Sequence, residues 1–573
     1  MHHHITCAAV QVPLEANAVN MRPESARLEF DAVVIGAGFS GLYMLHHLRN
    51  EMGLKVRVYE AGGGVGGTWY WNRYPGARCD SESWIYCYGF DQQLYRDWTF
   101  TERYPTQPEI LRYLEHVADR FDLLRDIQFD TRIPGATFDE STDTWVVHLP
   151  GGSSVRARFL IGAVGSLSAW NAPPFAGVGA FAGEEYHTGR WPHEKVDFTD
   201  KRVAVIGTGA SAVQAIPLIA KEADELTVFQ RTAGWVIPAR HAPLDAGFIA
   251  QRKDEGVELR ERIKNSVFGY DYEFCPKNIL ESTEEEIRAE LDKRWEYGGF
   301  PIWLGAYVDP FFVPEANQIM YDYMLERLAE RVPDPELRDK LTPKGYPFGV
   351  KRIPLDSGYY EAIQEPHVHL ISIADNPIAE ITQRGVKLAD GSEYEVDAIV
   401  YATGFDAITG PMKSIDVRGR GGERLRDHWS DGPHTYLGLT SAGFPNLFMI
   451  TGPQSPGVIS NMPVSIEQHV ELVGKIITGM AERGATSIEP TQAAEDAWLA
   501  HCEEVVAPTL FMQADTWYVG ANIPGKPRVF MAYLGFVNAY RQRCDEVVAK
   551  DYEGFVFDAS RERVGAGEIE PRS

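Results

Sequence analysis

The chain has 573 residues, of which 44% are hydrophobic and 24% are charged. This length exceeds what one hydrophobic core supports, and the composition is typical of a soluble globular protein of two or three domains. The formal net charge of −26 argues against nucleic acid or an anionic membrane surface as a partner. No run approaches the ~20 apolar residues of a membrane span, so integral membrane association is not expected.

The N-terminus and the cysteines bear on the location of the protein. Residues 1–28 begin with His2, His3 and His4 and have no basic region followed by a long apolar stretch, so we interpret them as a flexible extension rather than a secretion signal. A flexible polar tail is expected at 558–573. The six cysteines include no Cys-x-x-Cys pair, which predicts a reducing cytoplasm and no metal site. It also disfavours a flavin disulfide reductase, which needs two closely spaced cysteines.

A dinucleotide fingerprint lies near the start of the chain. A buried strand is predicted at 29–35, and Gly36, Gly38 and Gly41 follow it in Gly-x-Gly-x-x-Gly spacing before an apolar helical pattern. These glycines allow a tight turn, the close approach of a pyrophosphate at the helix N-terminus, and close packing of helix on strand. A second strand ends about twenty residues later at Glu60, an acid suited to a ribose 2′-hydroxyl.

The same pattern recurs in the middle of the chain, after a predicted strand at 201–206. The residues of this turn expected to face a second nucleotide are Gly207, Gly209 and Ser211. The next strand, 226–230, ends at Arg231 and Thr232, where the first copy has an acid. A guanidinium binds a 2′-phosphate through charge-assisted hydrogen bonds, so NADPH is expected here. A solvated surface charge is the alternative for Arg231.

Two long gapped motifs are more specific than the glycine turns. The first comprises a Gly-Gly-x-Trp segment at 66–69, a Tyr-Pro-Gly turn at 74–76 and Asp80. The second, F-x-G-x-x-x-H-x-x-x-W-P/D, lies between the two glycine turns and is matched in full at 181–192. Its defining residues are Phe181, Gly183, His187 and Trp191. With both motifs, the chain resembles the type I Baeyer–Villiger monooxygenases over about 30–557, close to the branch of phenylacetone, steroid and cyclohexanone monooxygenases.

The resemblance implies an FAD- and NADPH-dependent monooxygenase. Such an enzyme inserts one oxygen atom from O2 beside a ketone carbonyl, through a C4a-peroxyflavin, and gives an ester or lactone. The resemblance places the catalytic arginine at Arg352, with Asp80 orienting its guanidinium. It further places Lys351 with Arg231 at the 2′-phosphate and Trp517 in a mobile cover that contacts NADP. Further flavin-side residues are Gly67, Trp69 and Asp80, and the residues near the substrate pocket are Val458, Ile459 and Met462.

Several alternatives remain open from the residues alone. Asp80 could cap a helix or turn, Lys351 could be solvated, and Arg352 could form a structural ion pair. Trp517 could be an ordinary core residue, and His187 is interpreted as a hinge or interdomain hydrogen-bonding residue rather than a base. Two other functions are also considered: a flavin N- or S-hydroxylating monooxygenase, and a non-oxygenating NADPH oxidase or redox-responsive binding flavoprotein.

The predicted fold class is α/β, with two Rossmann-type dinucleotide-binding domains and a helical insertion. The predicted FAD-binding domain comprises 29–165 and 395–555, and the NADPH-binding domain comprises 175–238 and 348–394. The insertion at 239–347 carries Glu and Arg clusters typical of helices with solvated faces. Within it, Ser282 is the expected first residue of a capping box with Glu285. A monomer or weak dimer is expected.

Overall fold

The computed structural model describes residues 28–558. The predicted N-terminal extension and tail lie outside these residues, except for their innermost positions. The strands are β1 Phe30–Ile35, β2 Val56–Tyr59, β3 Ile127–Gln128, β4 Gly135–Asp139, β5 Thr144–His148, β6 Ser154–Gly162, β7 Glu184–His187, β8 Arg202–Ile206, β9 Glu225–Gln230, β10 Ile237–Pro238, β11 Leu355–Asp356, β12 Val368–Ser372, β13 Ile378–Ile381, β14 Gly385–Leu388, β15 Glu393–Glu395, β16 Ala398–Tyr401, β17 Asp416–Arg418, β18 Leu447–Met449, β19 Ser487–Pro490 and β20 Phe555–Asp558.

The structure has seventeen α-helices within residues 28–558, and six of them, α6 to α11, belong to the segment 239–347. They are α1 Phe39–His46, α2 Thr68–Trp71, α3 Gln92–Asp97, α4 Gln107–Arg120, α5 Ala210–Glu222, α6 Ala246–Asp254, α7 Gly256–Lys264, α8 Glu284–Tyr297, α9 Pro301–Leu304, α10 Pro314–Arg331, α11 Pro335–Leu341, α12 Tyr359–Ile363, α13 Gly410–Lys413, α14 Leu425–His428, α15 Met462–Arg483, α16 Gln492–Val506 and α17 Val537–Ala549. Helices and parallel sheets together confirm the predicted α/β class.

The larger sheet contains eight strands in the order β17-β4-β5-β6-β1-β2-β3, with β18 paired to the far end of β6. The apolar strand β1 runs parallel to β2 and β6 in its centre, with Val34 opposite Val58 and Ile161. Such a strand is buried on both faces, which explains its continuous apolar run. This arrangement brings the first glycine turn to the carboxyl edge of the sheet, where ligands bind in open α/β sheets.

The second sheet has five parallel strands in the order β12-β9-β8-β16-β7. It contains the strand before the second glycine turn, at its centre, and the strand that leads into the fingerprint histidine, at its edge. The predicted boundary at residue 395 is wrong, because β16 pairs with β7 and β8 of this sheet and not with the first sheet. A short buried apolar run fits either sheet, and only the long-range pairing decides between them.

The segment 239–347 contains α6 to α11 and no strand. Helix α8, which begins with three glutamates, starts one residue later than predicted. Thr283, not Ser282, is the N-cap, and it forms a reciprocal capping box with Glu286. The two candidate pairs have the same spacing and chemistry, so sequence spacing alone did not distinguish them.

Within residues 28–558, no helix has the length and apolarity needed to cross a membrane. Among the same residues, no group of three or more histidine, cysteine, aspartate or glutamate side chains is arranged to hold a metal ion. The five cysteines in this part of the chain form no disulfide.

Candidate active site

The first glycine turn has the shape that a close nucleotide approach requires. Gly36 has φ +106°, and a side chain there would meet the carbonyl oxygen of Ala163 at 2.5 Å. A Cβ on Gly41 would lie 1.8 Å from the oxygen of Gly36, and Gly67 packs directly on Gly38. Helix α1 has Gly38 as its N-cap, without a capping side chain, so its first N–H groups are left for a ligand. These residues fit a bound pyrophosphate.

Glu60 lies under this turn and is 5% exposed. Its carboxylate accepts hydrogen bonds from the backbone N–H groups of Ala37 and Gly62, both at 2.7 Å. Burial raises the pKa of Glu60, and the two hydrogen bonds oppose this rise. Each carboxylate oxygen retains a lone pair, so contact with a ribose hydroxyl is compatible with these bonds. Nearby, the buried Trp69 donates from its indole nitrogen to the hydroxyl of Tyr86.

The second glycine turn has the same backbone conformation as the first, but its surroundings are more open. Gly207 has φ +111°, and a side chain there would meet the oxygen of Ala402 at 2.6 Å. Gly209 is the N-cap of α5, again without a capping side chain, and a Cβ on it would face open space. A dinucleotide can therefore approach the backbone here without displacing protein atoms. Ser211 follows in the first turn of α5.

Two of the expected phosphate-binding cations lie near each other. Arg231 and Thr232 are exposed just beyond β9, and Arg231 forms no ion pair with any residue in 28–558. The ammonium of Lys351 lies 4.1 Å from the ring centroid of Tyr346. Burial lowers the pKa of Lys351, and the charge of Arg231 lowers it further, against the opposing charge of Asp515. Because like charges repel, a bound phosphate would offset the repulsion between Arg231 and Lys351.

The two nucleotide-binding segments meet at the Tyr-Pro-Gly turn. A side chain on Gly76 would lie 2.4 Å from the backbone oxygen of Gln214 in α5. The hydroxyl of Tyr74 donates to Gln214 Oε1 at 2.9 Å, and Gln214 Nε2 donates to Asp80 Oδ1 at 3.3 Å. Gln214 thus connects the second sheet to Asp80. Sequence reasoning missed this residue because a glutamine inside a helix carries no chemical motif.

Arg352 and Asp80 form the central ion pair, with 2.7 Å between Nη2 and Oδ2. Their side chains are 28% and 12% exposed. Burial by itself would lower the pKa of Arg352, but the charge of Asp80 raises it above its ordinary value, so the guanidinium stays charged. The predicted pairing of these two residues is therefore present, and the cap alternative for Asp80 does not describe its main contact.

Three aromatic residues that sequence reasoning missed surround this pair. The ring centroid of Phe300 lies 4.9 Å from Arg352 Cζ, within cation–π range. The hydroxyls of Tyr270 and Tyr518 interact electrostatically with Arg352. Tyr270 also bonds Ser81 at 3.1 Å, whereas the buried hydroxyl of Tyr518 has no hydrogen-bond partner in residues 28–558. Burial raises the pKa of Tyr518 to about 12, so it remains a hydrogen-bond donor at neutral pH.

The fingerprint segment packs along the second sheet. His187 is 8% exposed, its Nδ1 accepts from Gly189 N at 3.0 Å, and its Nε2 donates to Thr403 Oγ1 at 3.1 Å. Burial lowers its pKa to about 4, which keeps it neutral. A side chain on Gly183 would collide with the Phe181 ring, at 2.6 Å. The buried Trp191 ring lies 5.3 Å from that of Tyr186.

Trp517 begins a loop that is fastened to the segment after β16. Asn522 donates to the backbone oxygen of Phe405 at 2.8 Å, and Lys526 Nζ bonds Asp406 at 2.6 Å. Trp517 is only partly buried and its ring lies 4.2 Å from that of Tyr518. The loop therefore connects directly to the surroundings of Arg352.

The expected substrate-side residues flank the start of α15. Ile459 is 6% exposed, and Val458 and Met462 are partly buried. Val458 packs on the same small apolar cluster as Trp517. Helix α15 begins at Met462, with Asn461 as its N-cap.

The fold and this site define a class of protein. Two Rossmann-type dinucleotide sites converge on one arginine–aspartate pair, which is the arrangement of an oxidoreductase that uses two nucleotides. The model of the flavin-binding monooxygenase-like family matches residues 31–249.

Named relatives align over almost the whole chain. A Baeyer–Villiger monooxygenase from Pseudooceanicola batsensis is 42% identical over 550 residues, covering 95% of this chain and 100% of its own length. A phenazine N-monooxygenase from Lysobacter antibioticus is 43% identical over 536 residues, covering 93% and 98%.

Solved structures of two monooxygenases are also similar to this chain over almost its whole length. An oxidised steroid monooxygenase bound to NADP has a TM-score of 0.88 and 46% identity, covering 92% of this chain and 99% of that one. The enzyme OTEMO in complex with FAD and NADP has a TM-score of 0.89 and 40% identity, covering 93% and 100%. This chain therefore belongs to the flavin-binding monooxygenases, among the Baeyer–Villiger monooxygenases, and the predicted family is confirmed.

Proposed function

We propose that this chain uses FAD and NADPH to insert one oxygen atom of O2 beside a ketone carbonyl, giving an ester or lactone. The observation that carries the proposal is the ion pair between Arg352 and Asp80 at 2.7 Å, placed where the two nucleotide-binding segments meet. FAD is assigned to the turn at Gly36–Gly41 and NADPH to the turn at Gly207–Ser211. When bound, the nucleotides supply the redox chemistry: a hydride from NADPH and the activation of O2 at the flavin.

The role of Arg352 follows from its permanent charge. A ketone carbonyl that becomes tetrahedral gathers negative charge on its oxygen, and a fixed guanidinium stabilises that charge without reorganisation. Asp80 holds the guanidinium in place, and Phe300 restricts it from the ring side. Loss of such a preorganised group costs about 3 kcal/mol or more of barrier. Tyr518, whose buried hydroxyl has no hydrogen-bond partner in residues 28–558, is proposed to donate a hydrogen bond to the substrate.

Further assignments rest on the same framework. Arg231, Thr232 and Lys351 are proposed to bind the 2′-phosphate of NADPH, and Trp517 with its loop to cover the nucleotide. The substrate-side residues are proposed to be Val458, Ile459 and Met462. The FAD-binding domain is proposed to comprise 29–165 with 402–555, and the NADPH-binding domain 175–238 with 348–401, on the pairing of β16. We also propose a monomer or weak dimer in the cytoplasm.

The test is NADPH consumption with linear, aryl, cyclic and steroid ketones, with product analysis by mass spectrometry. We expect ketone-dependent turnover and a product heavier by one oxygen atom. Peroxide as the sole product across the panel would overturn the proposal and favour the NADPH oxidase alternative.

A second candidate is N-oxidation of a heteroaromatic amine. It is favoured by the relative named phenazine N-monooxygenase, which is 43% identical to this chain. The Baeyer–Villiger monooxygenase and the acetone monooxygenase among the relatives are each 42% identical to it. Overall identity thus does not separate the two reactions. A phenazine substrate tested beside the ketone panel separates them, because N-oxidation gives an N-oxide and leaves the ketones unconsumed.

A further inference from the structure

The segment that follows helix α8 of the insertion lies against Arg352. Helix α8 ends at Tyr297, and the ring of Phe300, three residues later, lies 4.9 Å from Arg352 Cζ. Phe300 is 1% exposed, and its ring meets that of Tyr270 edge-on, with 5.9 Å between the centroids. The Phe300 ring therefore limits where the guanidinium of Arg352 can lie.

Arg103 holds the end of α8 from the first nucleotide-binding segment. Its Nη1 donates to the backbone oxygen of Tyr297 at 2.7 Å, and its Nη2 donates to the backbone oxygen of Gly298 at 3.3 Å. The guanidinium also lies over the Tyr297 ring, with Cζ 4.3 Å from the centroid. Because the last carbonyl groups of a helix have no partner inside it, Arg103 supplies donors where α8 needs them.

A buried carboxylate fixes the guanidinium of Arg103. Glu82 Oε1 accepts from Arg103 Nη2 at 3.3 Å and from the hydroxyl of Tyr104 at 3.4 Å. The side chains of Glu82 and Arg103 are only 3% and 12% exposed. Burial raises the pKa of Glu82, and the charge of Arg103 opposes this rise. The planar fork of a guanidinium can bind the carboxylate and both carbonyl oxygens at once, which an ammonium cannot do in the same geometry.

The backbone of Arg103 contacts the loop that carries Asp80. Its backbone oxygen accepts from the N–H of Ser83, three residues after Asp80, at 2.8 Å. Arg103 thus lies between two neighbours of Arg352. Its backbone contacts the loop of Asp80, and its side chain contacts the segment that leads to Phe300.

The residue before Phe300 leaves little room for adjustment. Gly299 has φ +72°, and a Cβ on it would collide with the hydroxyl oxygen of Tyr104. The N–H of Gly299 donates to the backbone oxygen of Pro238 at 2.8 Å, and β10, which ends at Pro238, pairs with β11. Because the segment is packed this closely, a shift at the end of α8 would also move the Phe300 ring.

We propose that Arg103, held by Glu82, is a positioning residue for oxygen insertion: it fixes the end of α8 so that the Phe300 ring keeps the guanidinium of Arg352 aligned on Asp80. This inference deepens the proposed function and rests on it. Arg103 belongs to neither glycine turn and is not one of the phosphate-binding cations, so flavin reduction by NADPH should not depend on it.

The test is a double-mutant cycle on ester formation. Arg103→Lys keeps a positive charge opposite Glu82 but loses the planar fork that binds two carbonyl oxygens. Phe300→Leu removes the ring and keeps an apolar side chain. The wild type, both single variants and the double variant are assayed for ester formation by mass spectrometry and for flavin reduction by stopped-flow absorbance. Arg288→Lys is the matched control, because Arg288 is an exposed, ion-paired arginine of the same helix.

We expect Arg103→Lys to slow ester formation about tenfold, because a small misplacement of a catalytic group lowers the rate steeply. Flavin reduction should keep its wild-type rate. The double variant should be no slower than Phe300→Leu alone, since Arg103 acts through Phe300, and Arg288→Lys should match the wild type in both assays. A wild-type ester rate in Arg103→Lys, an equal loss of flavin reduction, or losses that multiply in the double variant would overturn the proposal.

Glu82→Gln is a second probe of the same contact. The amide oxygen can still accept from Arg103 but carries no charge, so ester formation should slow in the same pattern and by a smaller factor. The same cycle between Glu82→Gln and Phe300→Leu decides the question if Arg103→Lys does not yield folded holoenzyme, which flavin absorbance and thermal unfolding verify. Absence of ester from the wild type would overturn the proposed function and this inference with it, whereas additive losses in an ester-forming enzyme would overturn this inference alone.

Discussion

The guanidinium of Arg352 lies 2.7 Å from the carboxylate of Asp80, although 272 positions separate the two residues in the chain. Asp80 follows the Tyr-Pro-Gly turn of the first nucleotide-binding segment, and Arg352 comes just before β11. Gln214 of α5 donates to the other oxygen of the same carboxylate. The carboxylate of Asp80 thus contacts both Arg352 and the helix that follows the second glycine turn.

Arg352→Ala should strongly slow ester formation while NADPH still reduces the flavin. The barrier to oxygen insertion should rise by about 3 kcal/mol, a loss of roughly a hundredfold in rate. Stopped-flow absorbance measures flavin reduction, and mass spectrometry measures the ester. Arg384→Ala is the matched control, because Arg384 is an exposed arginine paired with Glu393 and Glu395. Ester formation at the wild-type rate in Arg352→Ala would refute the role of Arg352.

Arg231→Ala should raise the KM for NADPH much more than the KM for NADH. The exposed guanidinium has no ion-pair partner in residues 28–558 and lies near Lys351, so a 2′-phosphate is the group it would bind. Steady-state kinetics with both nucleotides measures the difference. Lys221→Ala, an exposed cation at the end of α5, should change neither constant. Equal effects of Arg231→Ala on both nucleotides would assign Arg231 to the protein surface.

Tyr518→Phe should stabilise the protein and impair catalysis. The Tyr518 hydroxyl is buried without a partner in residues 28–558, at a cost of about 1–3 kcal/mol that phenylalanine removes. If that hydroxyl binds substrate, kcat/KM should fall about tenfold. Thermal unfolding and steady-state kinetics test both effects. Tyr321→Phe is the control of opposite sign, because its hydroxyl donates to Pro343 O at 2.6 Å and its loss should destabilise the protein. Lower stability with unchanged kinetics in Tyr518→Phe would reject the prediction.

Stability should decline as the pH falls below about 6.5, and His187 should contribute to the decline. The folded-state pKa of His187 is lowered to about 4, chiefly by burial. A depressed pKa means that the folded state prefers the neutral ring, so the stabilisation is complete above 6.5 and is lost as the pH falls toward 4. The loss is at most about 1.4 kcal/mol per pH unit for one histidine.

His187→Gln tests this expectation, because the amide can still accept from Gly189 N and donate to Thr403 but does not titrate. Urea-unfolding midpoints of the holoenzyme between pH 5 and 8 should show a smaller pH dependence in the variant. His148→Gln is the control, since His148 is exposed on β5. A pH dependence identical to wild type in His187→Gln would show that another group dominates.

Much of the nucleotide-binding architecture could be predicted from the sequence. The two glycine turns were recognised because their requirements are local: Gly36 and Gly207 need a positive φ, and each lies directly between a buried strand and a helix. The family fingerprint likewise predicted a hinge or hydrogen-bonding role for His187 rather than that of a base, and its ring is hydrogen-bonded to Gly189 and Thr403. These inferences depend on residues close together in the chain, so spacing and side-chain type were sufficient.

Other features were decided only by the tertiary structure. The sheet that receives β16, the contact between Gln214 and Asp80, and the unpartnered hydroxyl of Tyr518 all depend on segments far apart in sequence. An apolar strand fits either sheet, and a helical glutamine or a buried tyrosine has the same local pattern in a core as in a site. Only the packing of the whole chain brings these groups together.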